Sequence, residues 1–181
     1  MNWYWLSRFA DNIRIEKILP QDLPAVEEIL RKAFPQYASW VCDYVRSLAD
    51  WGLSGKAVVK GQTVGVYIIG TRQITDVVNP QAEGQEDLSH YQNKQGVEGV
   101  ALAVLPEFQG QGVGRKLKNA AERLSADYIW GEQLQGLNNL DHWLKRRRLV
   151  RQNPAMNITL QDLPKALEPA TIGKPTPSAE V

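Results

Sequence analysis

The sequence predicts an α/β domain, and three stretches carry that expectation. Val97 to Leu124 reads as an apolar strand, a turn with three alternate glycines and an amphipathic helix. Ile13 to Phe34 reads as an alternating strand followed by a helix with apolar residues at helical spacing. Lys56 to Ile69 reads as a β-hairpin turning at Gly61-Gln62.

In chain order, Met1 to Ala10 holds Trp3, Tyr4, Trp5, Leu6 and Phe9. As a short helix this segment would show Trp5 and Phe9 on one side, suited to packing on the parent domain or on a second copy in a homodimer. A membrane-surface anchor is the other reading, but a single Arg8 gives it little attraction to anionic lipid. Residues 1–12 are therefore set apart as an aromatic N-terminal extension. Ile13 to Ile18 alternates as the first strand. Asp22 before Leu23-Pro24 marks a helix start, and Val26, Ile29, Leu30, Ala33 and Phe34 form its apolar stripe. After Pro35 a second helix is expected from Ser39 to Trp51, burying Trp40 or Val41 with Tyr44, Val45, Leu48 and Trp51. Cys42 lies among these apolar neighbours and reads as a buried structural thiol rather than a nucleophile.

The polar connection Thr71 to Gly96 is longer than an ordinary loop. It sets Asp76, Glu83, Glu86 and Asp87 against Arg72 and Lys94. It is either an acidic border that attracts a cationic amine or a solvated excursion, and His90 within it reads as surface polarity. After the central helix, Ala126 to Trp130 is the next strand and Asn138 to Leu149 the next helix. A short strand near Met156 to Leu160 closes the sheet. Residues 163–181 form a proline-containing tail expected to be disordered.

The 181 residues suit one domain. Lys and Arg number 21 against 20 Asp and Glu, so overall charge points to neither nucleic acid nor membrane. The local cluster Lys145 to Arg148, with Arg151, is a solvated helix face or a nucleic-acid contact. A single cysteine rules out an internal disulfide and fits a reducing cytosol, so a cytoplasmic location is expected. No apolar run approaches the ~20 residues that span a bilayer. The start lacks a basic region followed by a long apolar core, so it does not read as a signal peptide.

The central stretch carries the chemistry. Val97, Val100, Leu102 and Val104 alternate with Gly99, Ala101 and Ala103, a pattern that suits a buried strand with one small-residue face. Pro106 ends it. Gly110, Gly112 and Gly114 follow, then a helix with Val113, Leu117, Ala120 or Ala121, and Leu124 on its apolar side. Such a turn aims unpaired N–H groups and the positive end of a helix at one point, where a phosphate belongs. The spacing is not G-x-G-x-x-G, because Arg115 and Leu117 stand where that motif needs glycine, and no Gly-Lys-Ser/Thr follows.

Gln109 to Gly114 is instead Q-x-x-G-x-G. With the preceding LAVLPEF it closely resembles the acetyl-CoA signature of the GNAT superfamily of N-acyltransferases. IRIEKILPQDLPAVEEIL is similar to that family's opening strand and helix. The resemblance runs roughly from Ile13 to Val150. It implies a GNAT-like domain over 13–162: a central mixed, mostly antiparallel sheet, splayed at the cofactor strand, with helices on both faces. It also implies acetyl-CoA as acyl donor, no metal, and a primary amine as acceptor on a protein, a small molecule or a nucleic-acid base. Leu102, Ala103 and Val104 would face the pantetheine arm. Gln109, Gly110, Gln111, Gly112, Val113, Gly114 and Arg115 would hold the pyrophosphate. The basic cluster would also suit the 3′-phosphate of CoA. Phe34 to Tyr37 would border the acceptor site or simply connect two helices. Asn138 or Asn139 would answer to the family's asparagine early in the helix after the splayed strand. The family's tyrosine near the end of that helix has no counterpart around Trp143, Leu144 and Lys145, and the usual closing Gly-Phe is replaced by Arg148-Leu149 or Leu149-Val150.

Transfer to an amine needs a base, because holding a lysine-like amine neutral at pH 7 costs roughly 4 to 5 kcal/mol against a pKa of about 10.4. Glu98 is the ionisable side chain of Val97 to Val104, and it lies eleven residues before Gln109. By resemblance to the histone-acetyltransferase branch it is the candidate general base; the other reading has it facing solvent at the strand mouth. Two rival functions remain open on these residues. One is a GNAT-like module that binds CoA or a partner without catalysis; the other is a nucleic-acid-directed acyltransferase using Arg146 to Arg148.

Overall fold

A computed structural model describes residues 12–77, 88–134, 148–153 and 156–163. The elements in chain order are β1 (Ile13–Lys17), α1 (Leu23–Ala33), α2 (Val41–Leu48), β2 (Asp50–Val59), β3 (Gln62–Gly70), the single turn α3 (Ile74–Val77), β4 (Gly96–Val104), α4 (Val113–Ala121), β5 (Tyr128–Leu134), β6 (Arg148–Asn153) and β7 (Met156–Asp162). The strands form one sheet in the order β1-β2-β3-β4-β5-β7-β6. Among the described residues only the β4–β5 pair is parallel. The sheet is thus mixed and mostly antiparallel, as the resemblance implied.

Helices cover both faces because each carries one apolar stripe. Val26, Ile29 and Leu30 of α1 and Val41 and Val45 of α2 pack on Val66, Ile68 and Ala103. Val113 and Leu117 of α4 pack on the opposite face against Ala57, Val64 and Val104. Burying one such aliphatic side chain is worth about 1.5–3 kcal/mol. Cys42 is buried beside them, and burial pushes its thiol pKa up, which suits a structural role. Among the described residues no helix is long and apolar enough to cross a membrane.

Several boundaries differ from the sequence expectation, each for a local reason. The second helix spans Val41–Leu48 and stops short of Trp51. The Asp50 carboxylate accepts from the N–H groups of Gly52 and Leu53, at 2.9 and 3.3 Å, and Asp50 pairs with Ile69 as β2 begins. Side-chain bonding of this kind competes with the helix ladder. Trp40, one of two proposed core positions, is exposed, and Val41 takes the buried place. The hairpin turns at Lys60-Gly61, one residue earlier than expected. Both residues have positive φ (49° and 83°), the pattern of a two-residue type I′ turn, and Val59 pairs with Gln62. Arg148 and Leu149, expected at a helix end, belong to β6. The strand near Met156 does not close the sheet at its edge: β7 lies between β5 and β6. The aromatic extension from Met1 to Ala10, the acidic Glu83, Glu86 and Asp87, Asn138 and Asn139, Lys145 to Arg147, and the tail from 164 lie outside the described residues.

Two features of β4 position the site. Its ladder to β3 runs from Gly65↔Val104 to Gly70↔Glu98, with one shift where Ile68 faces Ala101 and Ile69 faces Gly99. Val100 is the extra residue of a β-bulge, and an extra residue reverses the side-chain alternation beyond it. Ala103 accordingly packs with α1, whereas Val97, of the same parity, packs with Ala121 of α4. The ladder to β5 covers only Gly96↔Tyr128, Val97↔Ile129 and Glu98↔Trp130. Beyond Glu98 the two strands part.

Gln73 fixes where that ladder starts. Its side chain accepts from the Gly96 N–H at 2.8 Å, donates to the Gly96 carbonyl at 3.1 Å, and accepts from the buried Tyr128 hydroxyl at 3.2 Å. Gln73→Ala would strand these groups at a cost of about 1–3 kcal/mol. The melting temperature should fall by roughly 2 to 12 °C, at ~2–4 °C per kcal/mol for a chain of this size; differential scanning calorimetry checks it.

A second staple predicts an acid limit. The Lys56 ammonium, mostly buried, meets Asp22 at 2.7 Å and Glu16 at 3.9 Å. That hydrogen bond holds the Asp22 carboxyl below its ordinary value. A lowered folded pKa gives stability that is present above the unfolded value and lost as pH falls through the folded one. Stability should therefore be flat on this account from neutral pH to about pH 5, then drop, and Asp22→Asn should flatten the acid limb in pH-dependent urea melts.

Candidate active site

The strand-to-helix turn is shaped as its sequence requires. Gly110 and Gly112 have φ of 73° and 86°, in the left-handed region where a side chain is strained. Gly112 is the N-cap of α4, and no side chain caps the helix. The N–H groups of its first turn therefore point outward with the positive end of the helix behind them. The exposed Arg115 guanidinium lies near Gly112, 3.8 Å from where a Cβ on that glycine would sit. The side chains of Gln109 and Gln111 turn inward to brace the loop, donating to the carbonyls of Val104 (3.1 Å) and Glu107 (2.7 Å). Val113 is buried in the core, so among these positions it offers its backbone rather than its side chain.

Upstream, Gly99 to Leu102 are half-buried in the middle of a strand whose two ends are buried. Among the described residues, the β5 side of Val100 to Val104 has no ladder partner. Apart from the Val104 carbonyl, which accepts from Gln109, the N–H and C=O groups on that side are thus open to an extended amide chain. Leu102 and Val104 turn their side chains towards the α4 face and Ala103 towards α1. Leu102 to Val104 and Gln109 to Arg115 thus follow one another from the open strand edge into the turn. Asn138 lies outside the described residues.

At the point where β4 and β5 part, four side chains from four segments converge. Glu98 is 1% exposed and receives both Nε and Nη2 of Arg72, the first at 2.7 Å. Gly70, opposite Glu98 on β3, leaves space for the carboxylate: a Cβ there would sit 3.1 Å from Glu98 Oε2. Arg72 Nη2 also lies 3.5 Å from Glu132 Oε1, and the Tyr44 hydroxyl lies 3.5 Å from Glu132 Oε2. The Arg72 guanidinium rests over the Trp130 ring at 5.6 Å from its centroid, and Trp130 Nε1 donates to the Arg72 carbonyl at 3.0 Å. Hydrogen bonding to Glu98 pushes the Arg72 pKa up, so it stays charged. Burial, and then the Glu132 charge, push the Tyr44 phenol up, so it remains a donor near neutral pH.

Glu98 thus does not face solvent at the strand mouth; it is buried and paired. In the sequence Arg72 reads only as a countercharge and Tyr44 as helix core, and Glu132 does not stand out. The available signal was alternation: Glu132 has the parity of Tyr128 and Trp130, and the run Tyr128 to Leu134 holds no other carboxylate. The described parts of the connection, 71–77 and 88–95, are not wholly solvated, since Ile74, Leu88 and Tyr91 are buried against Tyr128 and Trp130. His90 is exposed. Tyr37 meets Trp40 at a tilt (5.2 Å between ring centroids), and Trp40 meets Tyr44 edge-on (5.5 Å), so the helix connection leads by aromatic contacts towards Glu132.

Comparison with known proteins gives the same frame. No curated protein matches the chain. Among solved structures, PH1933 from Pyrococcus horikoshii aligns with a TM-score of 0.62 at 16% identity, covering 83% of this chain and 98% of the other. The PaiA N-acetyltransferase of Thermoplasma acidophilum, solved with coenzyme A, aligns at 0.56 and 13% identity, with coverage of 83% and 98%. Naa50 of Arabidopsis thaliana, solved with the bisubstrate analogue CoA-Ac-MVNAL, aligns at 0.56 and 12% identity with the same coverage. These likenesses show the fold. The family model described as acetyltransferase (GNAT) matches residues 23–139, more than half of the sequence, and the chain belongs to that family.

Proposed function

We propose that this protein transfers an acetyl group from acetyl-CoA to a primary amine by direct attack. The observation that carries this reading is the juxtaposition at the β4–β5 parting. An unladdered strand edge leads from the glycine turn to a partly buried cluster of two carboxylates, one arginine and one phenol. Similar folds solved with coenzyme A or acetyl-CoA support the choice of donor. The residues here fit that molecule: positive-φ glycines and an uncapped helix start for the pyrophosphate, Arg115 for its charge, and free β4 amides for the pantetheine.

In this reaction the chain's own groups do three things. The turn and strand edge fix the thioester next to the cluster, which converts a bimolecular encounter into an oriented one. N–H groups of β4 face the carbonyl oxygen as negative charge develops on it. The carboxylates Glu98 and Glu132 are the groups available to accept the amine's proton. The cluster holds two negative charges against one positive, which favours a cationic acceptor over a neutral or anionic one.

Ligand that binds only the folded state stabilises it by about 2.7 kcal/mol at a hundredfold excess over Kd. Saturating acetyl-CoA should therefore raise the melting temperature by roughly 5 to 10 °C. Gly112→Val forces a β-branched residue to positive φ and should abolish the rise, and Arg115→Ala should reduce it with little change in the ligand-free melting temperature. Thermal-shift titration checks all three. An unshifted wild type would remove the proposed donor.

A further inference from the structure

The two carboxylates beside Arg72 are held unequally. Glu98 is almost fully buried, and its two oxygens are both taken by the guanidinium. The Glu132 side chain is 17% exposed, and among the described residues its contacts from Arg72 and from Tyr44 are each 3.5 Å long. Those distances are at the outer limit of a hydrogen bond, so Glu132 keeps acceptor capacity that Glu98 has used. Among the described residues the charged and titratable groups facing Glu132 are Arg72 after β3, Tyr44 of α2 and Glu98 of β4. One cation against two carboxylates leaves a net negative charge, and it falls to the looser partner.

We infer that Glu132 is the acceptor carboxylate: it binds the ammonium form of the incoming amine and takes its proton, while Glu98 is a positioning residue that acts through Arg72. The inference rests on the acyl-transfer reading and names within it the substrate charge and the base. The nitrogen lone pair forms the C–N bond at the thioester carbonyl carbon, and the C–S bond breaks with its electron pair left on sulfur. Of the two protons that nitrogen sheds, one passes to Glu132 and on to water, and the other neutralises the thiolate. Tyr44 stays protonated and holds the carboxylate from the α2 side. The aromatic series Tyr37, Trp40 and Tyr44, with Trp40 41% exposed, offers a surface for the amine's apolar stem.

n-Hexylamine is a suitable probe, with n-hexanol as the neutral control. Calorimetry on the CoA-loaded protein should show hexylammonium binding that weakens with salt, and no comparable binding of hexanol. Glu132→Gln, which keeps shape and one acceptor, should weaken that binding at least tenfold with the acetyl-CoA thermal shift intact. Tyr44→Phe, a gentler change, should weaken it less. Thiol release from acetyl-CoA with hexylamine should fall ~10²- to 10⁴-fold in Glu132→Gln at neutral pH. That deficit should shrink as pH approaches the amine's own pKa, where free amine forms unaided. Glu98→Gln should lose rate evenly across pH, because a misplaced Arg72 is not repaired by alkali. Unchanged hexylammonium binding in Glu132→Gln overturns the inference, as does the pH-dependent deficit appearing in Glu98→Gln instead. Hexylammonium that binds through Glu132 without thiol release overturns acetyl transfer and leaves the recognition role standing.

Discussion

Strand β4 has two edges with different fates. On one, the antiparallel ladder to β3 runs nearly its full length; on the other, the parallel ladder to β5 ends after three residues. A buried strand edge without a partner is costly, because N–H and C=O groups away from water need hydrogen bonds. Here the missing neighbour is what leaves the β4 edge open, and Gln73 with the Tyr91–Tyr128 contact sets the ladder's start so that its end falls at Glu98. The glycine turn, the bulge and the acidic cluster all take their positions from that parting.

Two cations with mixed partners illustrate how one motif serves different ends. Lys56 joins Asp22 and Glu16, tying β2 to β1 and to the chain before α1; Asp22 also accepts from the Leu19 N–H, and Glu16 also pairs with Arg14. Arg72 joins Glu98 and Glu132, but these sit on strands that are separating. The planar guanidinium can take one carboxylate with two donors and still present a third edge to another, which an ammonium cannot do with the same geometry. A cation–π contact with Trp130 helps to hold the guanidinium in place. The first set is suited to holding elements together, the second to leaving Glu132 loosely held.

What was legible in the sequence was local. Strand, turn and helix from Val97 onwards are written in consecutive residues: alternation, then glycines where φ must be positive, then a 3.6-residue stripe. The opening strand and α1 are legible for the same reason, with Pro24 and the Val26, Ile29, Leu30 stripe. The end of α2 was not, because Leu48 and Trp51 continue the helical spacing while the Asp50 side chain draws the backbone into β2. Glu98 was visible as an odd charge in an apolar strand, but its partner was not. Arg72 and Glu98 are 26 residues apart, and Tyr44 and Glu132 are 88 apart. No periodicity within a window reports on such pairs; they follow from strand order and from where a ladder stops.

Val100 has a consequence for how positions in this strand are counted. A side chain's face is set by whether its distance along the strand is odd or even, and the bulge changes that parity once between Ile68 and Ile69 of the neighbouring strand. Distances counted back from the glycine turn are therefore not a geometric address in themselves. The same eleven-residue interval in a strand without the extra residue would place a carboxylate under α4, among aliphatic side chains, instead of beside Arg72. Comparisons of β4 between proteins thus have to be aligned on the bulge as well as on the turn, or like residues will be equated across opposite faces of the sheet.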